Sequence, residues 1–184
     1  MVRIEYSPKD KNKWLDALLN NIESQISSNN LRNEDLIKDI LSLRVSLHLG
    51  VFVEPYLQLI LDRKKTLESR FSVNKVSPYR QVFKDDILLL KRSGGPIIGI
   101  CQIDESWSYV LNPDLWEEIK ETHHKALCIQ GPDFWIQKRK SNYATLMKLK
   151  NIELLDSPIN FVKSDRRGWI NLLPRDHKQT IKLF

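Results

Sequence analysis

The chain has 184 residues, 41% of them apolar and 28% charged, a composition typical of one globular domain with a modest extension rather than of a disordered or collagen-like chain. No apolar run is long enough for a membrane span, the N-terminus lacks the apolar segment of a secretory signal, and two cysteines cannot build a secreted disulfide framework, so a cytoplasmic location is expected. The net charge of +6 favours polyanionic partners such as nucleic acids.

Two amphipathic helices are predicted near the N-terminus. Residues 8–27 carry apolar side chains at three- and four-residue steps after Ser7 and Pro8, and a second periodic segment runs from Asn33 to Leu43. Polar residues separate the two segments, so a helical hairpin is expected as an extension over residues 1–46. Its apolar stripe is expected to pack on the main domain, and pairing of two copies into a homodimer through these helices is the alternative.

Short apolar runs bounded by turn residues predict a main domain over residues 47–173. Its best-defined strands form a hairpin over residues 87–91 and 96–103, because paired glycines suit the tight tip between them. Pro158 is expected to end a strand, and residues 174–184 are expected to form a polar tail. Further strands are predicted at residues 47–53, 66–71, 144–155 and 168–173, with short helices beginning at 55 and spanning 112–122 and 134–140.

The strand predicted at residues 66–71 carries the main candidate site. Strand alternation puts Glu68 and Arg70 on one face, together with Thr66, and puts Leu67 and Phe71 on the opposite face. The apolar face is expected to point inward, which leaves the charged pair on the side that a ligand can reach. From spacing alone, this pair could equally be a solvated salt bridge without a function.

Lys65, Glu68 and Arg70 have the spacing of the Gly-x-Lys-x-x-Glu-x-Arg signature, and the segment resembles that signature of the ASCH domains, a branch of the PUA-like barrels. Arg63 stands where the family usually has glycine. The hairpin sequence ILLLKRSGGPIIGICQI and the closing DRRGWINLL also resemble ASCH domains, so the resemblance covers residues 47–173. It implies an α+β fold, a PUA-like open β-barrel of five or six strands with peripheral helices, preceded here by the N-terminal helical hairpin.

The resemblance also implies binding of RNA, or of a modified nucleotide, at a basic cleft made by Lys65, Glu68 and Arg70. Lysine and arginine can donate to phosphate, and glutamate can accept from the amino group of a nucleobase. Basic, aromatic and hydroxyl side chains suit contacts to single-stranded nucleic acid around such a cleft. The expected rim residues are Ser93, Lys140, Tyr143, Arg166 and Arg167.

A hydrolase is the alternative function. Some small ASCH members resemble amidohydrolases that act on acylated cytidine through the motif lysine and a threonine nucleophile. This chain has Glu68 where that threonine would stand, which leaves Thr66 and Ser69 as the nearby hydroxyl groups. An amidohydrolase acting on an acylated nucleoside, or a ribonuclease, would therefore use Lys65, Glu68 and Thr66 as its catalytic residues. Because Glu68 replaces the threonine nucleophile, binding is the favoured function and catalysis is the alternative.

No metal or cofactor is expected. His123, His124 and Cys128 lie close together in the sequence, but a zinc site needs four ligands and no paired cysteine motif accompanies them. The glycines at the hairpin tip lack the following helix and lysine of a phosphate-binding loop. His48, alone on the first predicted strand of the main domain, is expected to be a core histidine with satisfied hydrogen bonds.

Overall fold

A computed structural model describes residues 3–27, 31–42 and 44–175. Helices and strands are interspersed along the described chain, and every predicted main-domain element is present, although the strands that begin at residues 97 and 143 are longer than expected. The elements are β1 Arg3–Tyr6, α1 Lys11–Ser27, α2 Glu34–Ser42, β2 Leu47–Phe52, α3 Tyr56–Leu61, β3 Leu67–Ser72, β4 Ile87–Arg92, β5 Ile97–Val110, α4 Pro113–His123, α5 Pro132–Lys138, β6 Tyr143–Lys163 and β7 Trp169–Leu173.

The strands form one mixed, seven-stranded sheet in the order β1-β6-β5-β4-β2-β7, with β3 also paired to β6. β2 lies parallel to β4 and β1 parallel to β6, whereas the other pairs are antiparallel. In the described part of the chain no backbone ladder joins β3 to β7, so the sheet is not closed into a barrel. The fold is α+β, and the open barrel, the helical hairpin and the division into domains stay predictions.

Two strand predictions were wrong. β1 was not foreseen, so the described residues form a sheet of seven strands rather than five or six. β6 continues to Lys163 instead of ending at Pro158. The register between β5 and β6 shifts over this region, where Ile97 faces Ile159 but Gly99 faces Leu154. Because extra β6 residues bulge out of the ladder there, the proline nitrogen does not have to donate a ladder hydrogen bond.

The N-terminal helices cover one face of the sheet. Apolar residues of α1 and α2 are buried against the strands in one cluster that contains Trp14, Leu18, Ile22, Leu36 and Ile40. The predicted apolar stripe therefore packs on the main domain, and the homodimer stays a prediction. Residues 28–30, predicted to separate the helices, and residues 176–184 of the predicted tail lie outside the described residues.

A second cluster fills the opposite face, here called the inner face of the sheet. It combines β2, β4, β5, β6 and β7 with α3, through buried residues that include Phe52, Leu57, Leu88, Met147 and Trp169. A third cluster, around Trp116 and Trp135, packs α4 and α5 onto β3 and β6. Burial of these apolar surfaces stabilises the fold by roughly 25 cal/mol per Å² removed from water.

Candidate functional site

The turn between α3 and β3 holds Arg63 in a backbone conformation that favours glycine. Arg63 has a φ of +59°, in the left-handed region that glycine enters without strain. The next two amides, of Lys64 and Lys65, both donate to the carbonyl of Leu59 at 2.9 Å, which closes the end of the helix. The backbone here has the conformation that the family glycine would favour, and it leads directly into the motif.

The three motif residues form one buried ionic network. Lys65 is 3% exposed and Glu68 is 5% exposed. Lys65 Nζ lies 3.5 Å from Glu68 Oε2 and donates to the carbonyl of Leu127 at 2.9 Å. Arg70 Nε lies 2.9 Å from Glu68 Oε1 as an ion pair, without the alignment of a hydrogen bond. The solvated salt bridge considered from the sequence is therefore excluded by burial.

The guanidinium of Arg70 bridges two parts of the sheet that no backbone ladder joins. It donates from Nη1 to the carbonyl of Gly168 and from Nη2 to the carbonyl of Val51, both at 3.1 Å. Its central carbon lies 4.9 Å from the ring centroid of Phe52 and 5.2 Å from that of Trp169. Arg70 thus ties β3 to β2 and to the start of β7, and holds the inner face partly closed.

The electrostatics of the network follow from its burial. Burial lowers the pKa of Lys65, and the positive charge of Arg70 acts in the same direction, whereas the carboxylate of Glu68 opposes both. Burial also raises the pKa of the nearby Cys101 thiol, with a smaller contribution from Glu68. The network therefore has a net positive charge, because one carboxylate forms ion pairs with two cations.

The expected orientation of β3 was wrong. Leu67 does not face the inside of the sheet, because α4 and α5 cover that side of β3 and bury it in the third cluster, against which the half-buried Phe71 also packs. Glu68 instead shares a register position with Met147, on the inner face. Glu68 thus lies on the inner face of the sheet, and Leu67 lies on the opposite face under a helical layer.

A cavity of about 580 Å³, here called the motif cleft, opens beside the network. Aromatic and charged side chains line it together, and α5 contributes Phe134 and Lys138. Lys138 Nζ lies 5.9 Å from the ring centroid of Phe134. The lining residues are Val51, Phe52, Val53, Tyr56, Lys65, Glu68, Ser69, Arg70, Phe71, Ile129, Asp133, Phe134, Gln137 and Lys138.

A second cavity of about 600 Å³, here called the tip cavity, lies between the β4–β5 hairpin tip and the loop before β7. Ser93, Arg166 and Arg167, which the sequence analysis assigned to a single cleft with the motif, line this cavity instead. Val51 lines both cavities, and the Arg70–Gly168 hydrogen bond lies in the wall between them. The predicted site is therefore split into two adjoining compartments.

Comparisons with known proteins bear on the fold. No protein-family model matches the sequence, and no curated protein is significantly similar to it. The solved structure of an ASCH protein from Zymomonas mobilis matches with a TM-score of 0.51 at 11% identity, over 74% of this chain and 92% of that chain. Two point variants of ZmASCH match with TM-scores of 0.52 at 11% identity, over 74% and 76% of this chain and 97% and 95% of theirs. The chain has an ASCH-like fold. At this identity the likeness shows the fold alone.

Three predicted site residues of this ASCH-like fold line neither the motif cleft nor the tip cavity. Thr66 lies before β3 and lines a separate polar cavity with Arg63 and Asn151. Tyr143 packs its ring 4.9 Å from that of Tyr79, at the far end of the β3–β6 pair. Lys140 is exposed beyond the end of α5.

Sequence reasoning missed several residues that do line the motif cleft. Phe134 and Lys138 lie one helical turn apart on α5, as do Asp133 and Gln137, so the four side chains share one side of the helix. The spacing of an aromatic residue and a lysine at i and i+4 was the available signal. Tyr56 also lines the cleft, and its ring centroid lies 5.4 Å from Lys65 Nζ.

His48, expected to be a core histidine, has hydrogen-bond partners at both ring nitrogens in this ASCH-like fold. His48 is fully buried, with Nε2 at 3.2 Å from Asp86 Oδ2, while its Nδ1 accepts from Trp169 Nε1 at 3.3 Å. Within residues 3–27, 31–42 and 44–175, no group of three histidine, cysteine or acidic side chains is arranged to hold a metal ion. No helix in the same ranges is long and apolar enough to cross a membrane.

Proposed function

We propose that the chain binds RNA, or a modified nucleotide within it, in the motif cleft. The observation that carries the proposal is a cavity of about 580 Å³ whose lining combines aromatic rings with three cations and two acids. Flat aromatic surfaces take up unstacked bases, and nearby cations take up the phosphates between them. A cavity of this size suits a nucleotide-sized ligand.

The network assigns different roles to the motif residues. Glu68 has one oxygen near each cation, so we assign it the role of orienting Arg70 rather than of reading a base directly. Lys65 is buried and bound to a carbonyl, so its main effect on a ligand is its positive charge. The side chain of Arg70 is 21% exposed, and the half-buried Lys138 supplies a second cation on α5. These two cations are the groups we expect a phosphate to contact.

Further contacts are proposed at the tip cavity, which adjoins the motif cleft at Val51. Ser93 and Arg166 are exposed there and can donate to a strand that leaves the cleft. Arg167 is less available, because its Nη2 donates to Asp165 at 2.7 Å and to the hydroxyl of Tyr6 at 3.1 Å. Lys140 and Tyr143 line neither cavity, so we assign them no contact with the strand.

The hydrolase alternative is less well supported than binding. Its nucleophile, Thr66, lines a different cavity from Lys65 and Glu68. Ser69 lines the motif cleft, but it alternates with Glu68 along β3 and shares the face of Leu67. Turnover of an acylated nucleoside or of RNA by the wild type, lost in Lys65→Met, would replace the binding proposal with an enzymatic one.

The test compares two lysines that lie two residues apart. Binding of a fluorescent single-stranded RNA is measured by anisotropy at fixed moderate salt for Lys138→Ala, inside the cleft, and Lys140→Ala, outside it. We expect Lys138→Ala to weaken binding about fivefold, the effect of about 1 kcal/mol from one partly screened charge, and to reduce the salt slope by about 0.7. Both variants remove the same charge, so equal effects, or no effect of Lys138→Ala, would contradict binding in the motif cleft.

A further inference from the structure

The tip cavity contains a buried cation that lacks an ionic partner. Lys91, near the end of β4, is 7% exposed and lines the cavity. Its Nζ donates to the carbonyl of Gly95, with a longer contact of 3.4 Å to the carbonyl of Arg92. No carboxylate of the described residues forms an ion pair with it. Burying an ammonium group without a counter-charge costs free energy, so an anion bound in the cavity would offset that cost.

The acid that lines this cavity is already neutralised. Lys163 Nζ donates to Asp165 Oδ1 at 2.9 Å, and Arg167 Nη2 donates to Asp165 Oδ2 at 2.7 Å. Burial alone would raise the pKa of Asp165, but the hydrogen bonds from Arg167 and Lys163 hold that pKa at about 2. The carboxylate is therefore ionised and already paired with two cations. Lys163 is occupied too, since it also donates to the carbonyls of Asp165 and Arg167 at 2.8 and 2.6 Å.

The charge left over in the tip cavity is positive. Lys91, Lys163, Arg166 and Arg167 line it together with a single acid, Asp165. The loop of residues 163–167 pairs its own charges internally, apart from Arg166, which is exposed and forms no ion pair with the described residues. One buried cation, one exposed cation and the hydroxyl of Ser93 thus surround a space that no side chain of the described residues fills.

We propose that the tip cavity is a phosphate-binding site, with Lys91 as its buried cation and Arg166 and Ser93 as its exposed donors. Lysine serves such a site as a point charge, and arginine adds directed hydrogen bonds. The phosphate comes either from a nucleic-acid strand that continues out of the motif cleft or from a free phosphorylated ligand. Only the first source depends on the proposed RNA binding.

The first experiment uses inorganic phosphate as the probe and compares wild type, Lys91→Met and Lys64→Met. Lys64 is an exposed lysine paired with Asp62 at 3.5 Å, so its variant is matched in charge but lies outside the cavity. At constant ionic strength, we expect phosphate to raise the Tm of wild type and Lys64→Met but not of Lys91→Met. Calorimetric titration is expected to show phosphate binding at least about tenfold weaker in Lys91→Met, the effect of losing a charged hydrogen bond.

Stability without phosphate supplies an independent readout. Methionine has nearly the shape of lysine without its charge, so Lys91→Met is expected to melt no lower than wild type in phosphate-free buffer. Arg166→Ala, an exposed substitution that leaves the buried cation in place, is expected to weaken phosphate binding partially. An unresponsive wild type, or a wild-type response to phosphate in Lys91→Met, would overturn the site. Should Lys91→Met fail to fold, an unchanged phosphate affinity in Arg166→Ala would overturn it.

The second experiment separates the two sources of phosphate. Single-stranded RNA is titrated into wild type and Lys91→Met at the same salt. Weaker RNA binding by Lys91→Met identifies a phosphate of the strand, whereas equal RNA binding with lost inorganic phosphate binding identifies a free phosphorylated ligand. These outcomes also separate the phosphate site from the proposed RNA binding. If RNA does not bind in the motif cleft, Lys138→Ala loses its effect on RNA binding, but the titration with inorganic phosphate is unaffected.

Discussion

Substitution of Glu68 by glutamine tests the ionic network most sharply. The carboxylate is 5% exposed and lies between two cations, so glutamine leaves both cations without a counter-charge while preserving the size of the side chain. Breaking a buried pair by removing one partner destabilises proteins by about 3–5 kcal/mol. Lys65 and Arg70 keep their backbone carbonyl acceptors, so we expect a loss near the lower end, about 3 kcal/mol.

Urea unfolding followed by tryptophan fluorescence measures this loss as a shift of the midpoint at constant m-value. For a chain of this length, about 3 kcal/mol corresponds to a fall in Tm of roughly 6–12 °C. Glu118→Gln, the same chemical change at an exposed position of α4, is the control and should change stability by less than about 0.5 kcal/mol. A loss below about 1 kcal/mol in Glu68→Gln would mean that solvent screens the network, and the account of a buried site would be wrong.

The same variant has a predicted pH dependence. Burial lowers the pKa of Lys65 from its usual 10.5, so between its folded pKa and 10.5 the unfolded chain binds more protons and stability rises with pH. Removing Glu68 removes the carboxylate that opposes this shift, so the pKa of Lys65 falls further in the variant. The stability deficit of Glu68→Gln should therefore shrink as pH rises from the folded-state pKa of Lys65 in the variant to that in wild type, because over this range only the folded variant has lost the proton. A deficit that stays constant from neutral pH up to the folded-state pKa of Lys65 in wild type would exclude Lys65 as the group left unpaired.

Two further substitutions test the backbone strain at Arg63 and the hydrogen bonds of Asp165. Arg63→Gly should raise the unfolding free energy by about 0.5–1 kcal/mol, because glycine relieves the left-handed backbone strain at this position while losing part of the gain to a more flexible unfolded chain. A lower urea midpoint in this variant would contradict the strain. Asp165→Asn should remove an acid dependence: with burial opposing and the hydrogen bonds from Arg167 and Lys163 prevailing, the pKa of Asp165 is about 2, so wild type loses stability as pH falls from about 4 through about 2. Denaturation curves that fall in parallel for both proteins over this range would refute the assignment.

The main strands and the motif could be predicted because their signals are local. Paired glycines and unbroken apolar runs identify the β4–β5 hairpin, and the spacing of Lys65, Glu68 and Arg70 identifies the site strand. Alternation along that strand also separates Leu67 from Glu68 correctly. Each of these inferences depends only on residues within one or two neighbouring elements.

The direction in which the site strand faces could not be predicted in the same way. It depends on α4 and α5, which follow much later in the chain and cover the face that carries Leu67. The sequence therefore indicated two faces but not which one was inside. Burial of Lys65 was hidden for the same reason, since its hydrogen-bond acceptor, Leu127, belongs to the segment between those helices.

The rim of the site was misassigned through helix geometry. The expected helix at residues 134–140 is α5, Pro132–Lys138, so the cleft receives Phe134 and Lys138 whereas Lys140 lies beyond its end. Helix ends are uncertain by one or two residues in any assignment, and here that interval decides which lysine reaches the cleft. Pro158 misled for a different reason, because a bulge in the β5–β6 ladder cannot be read from local sequence.

Titration of the isotope-labelled protein with a short single-stranded RNA, followed by nuclear magnetic resonance, tests the proposed function most directly. The largest shifts are predicted at the amides of residues 51–53, 56, 133–134 and 137–138 and at Nε of Arg70, because these residues line the motif cleft. Shifts that instead concentrate on the N-terminal helices, or a spectrum that RNA leaves unchanged, would contradict binding at the Lys65–Glu68–Arg70 network.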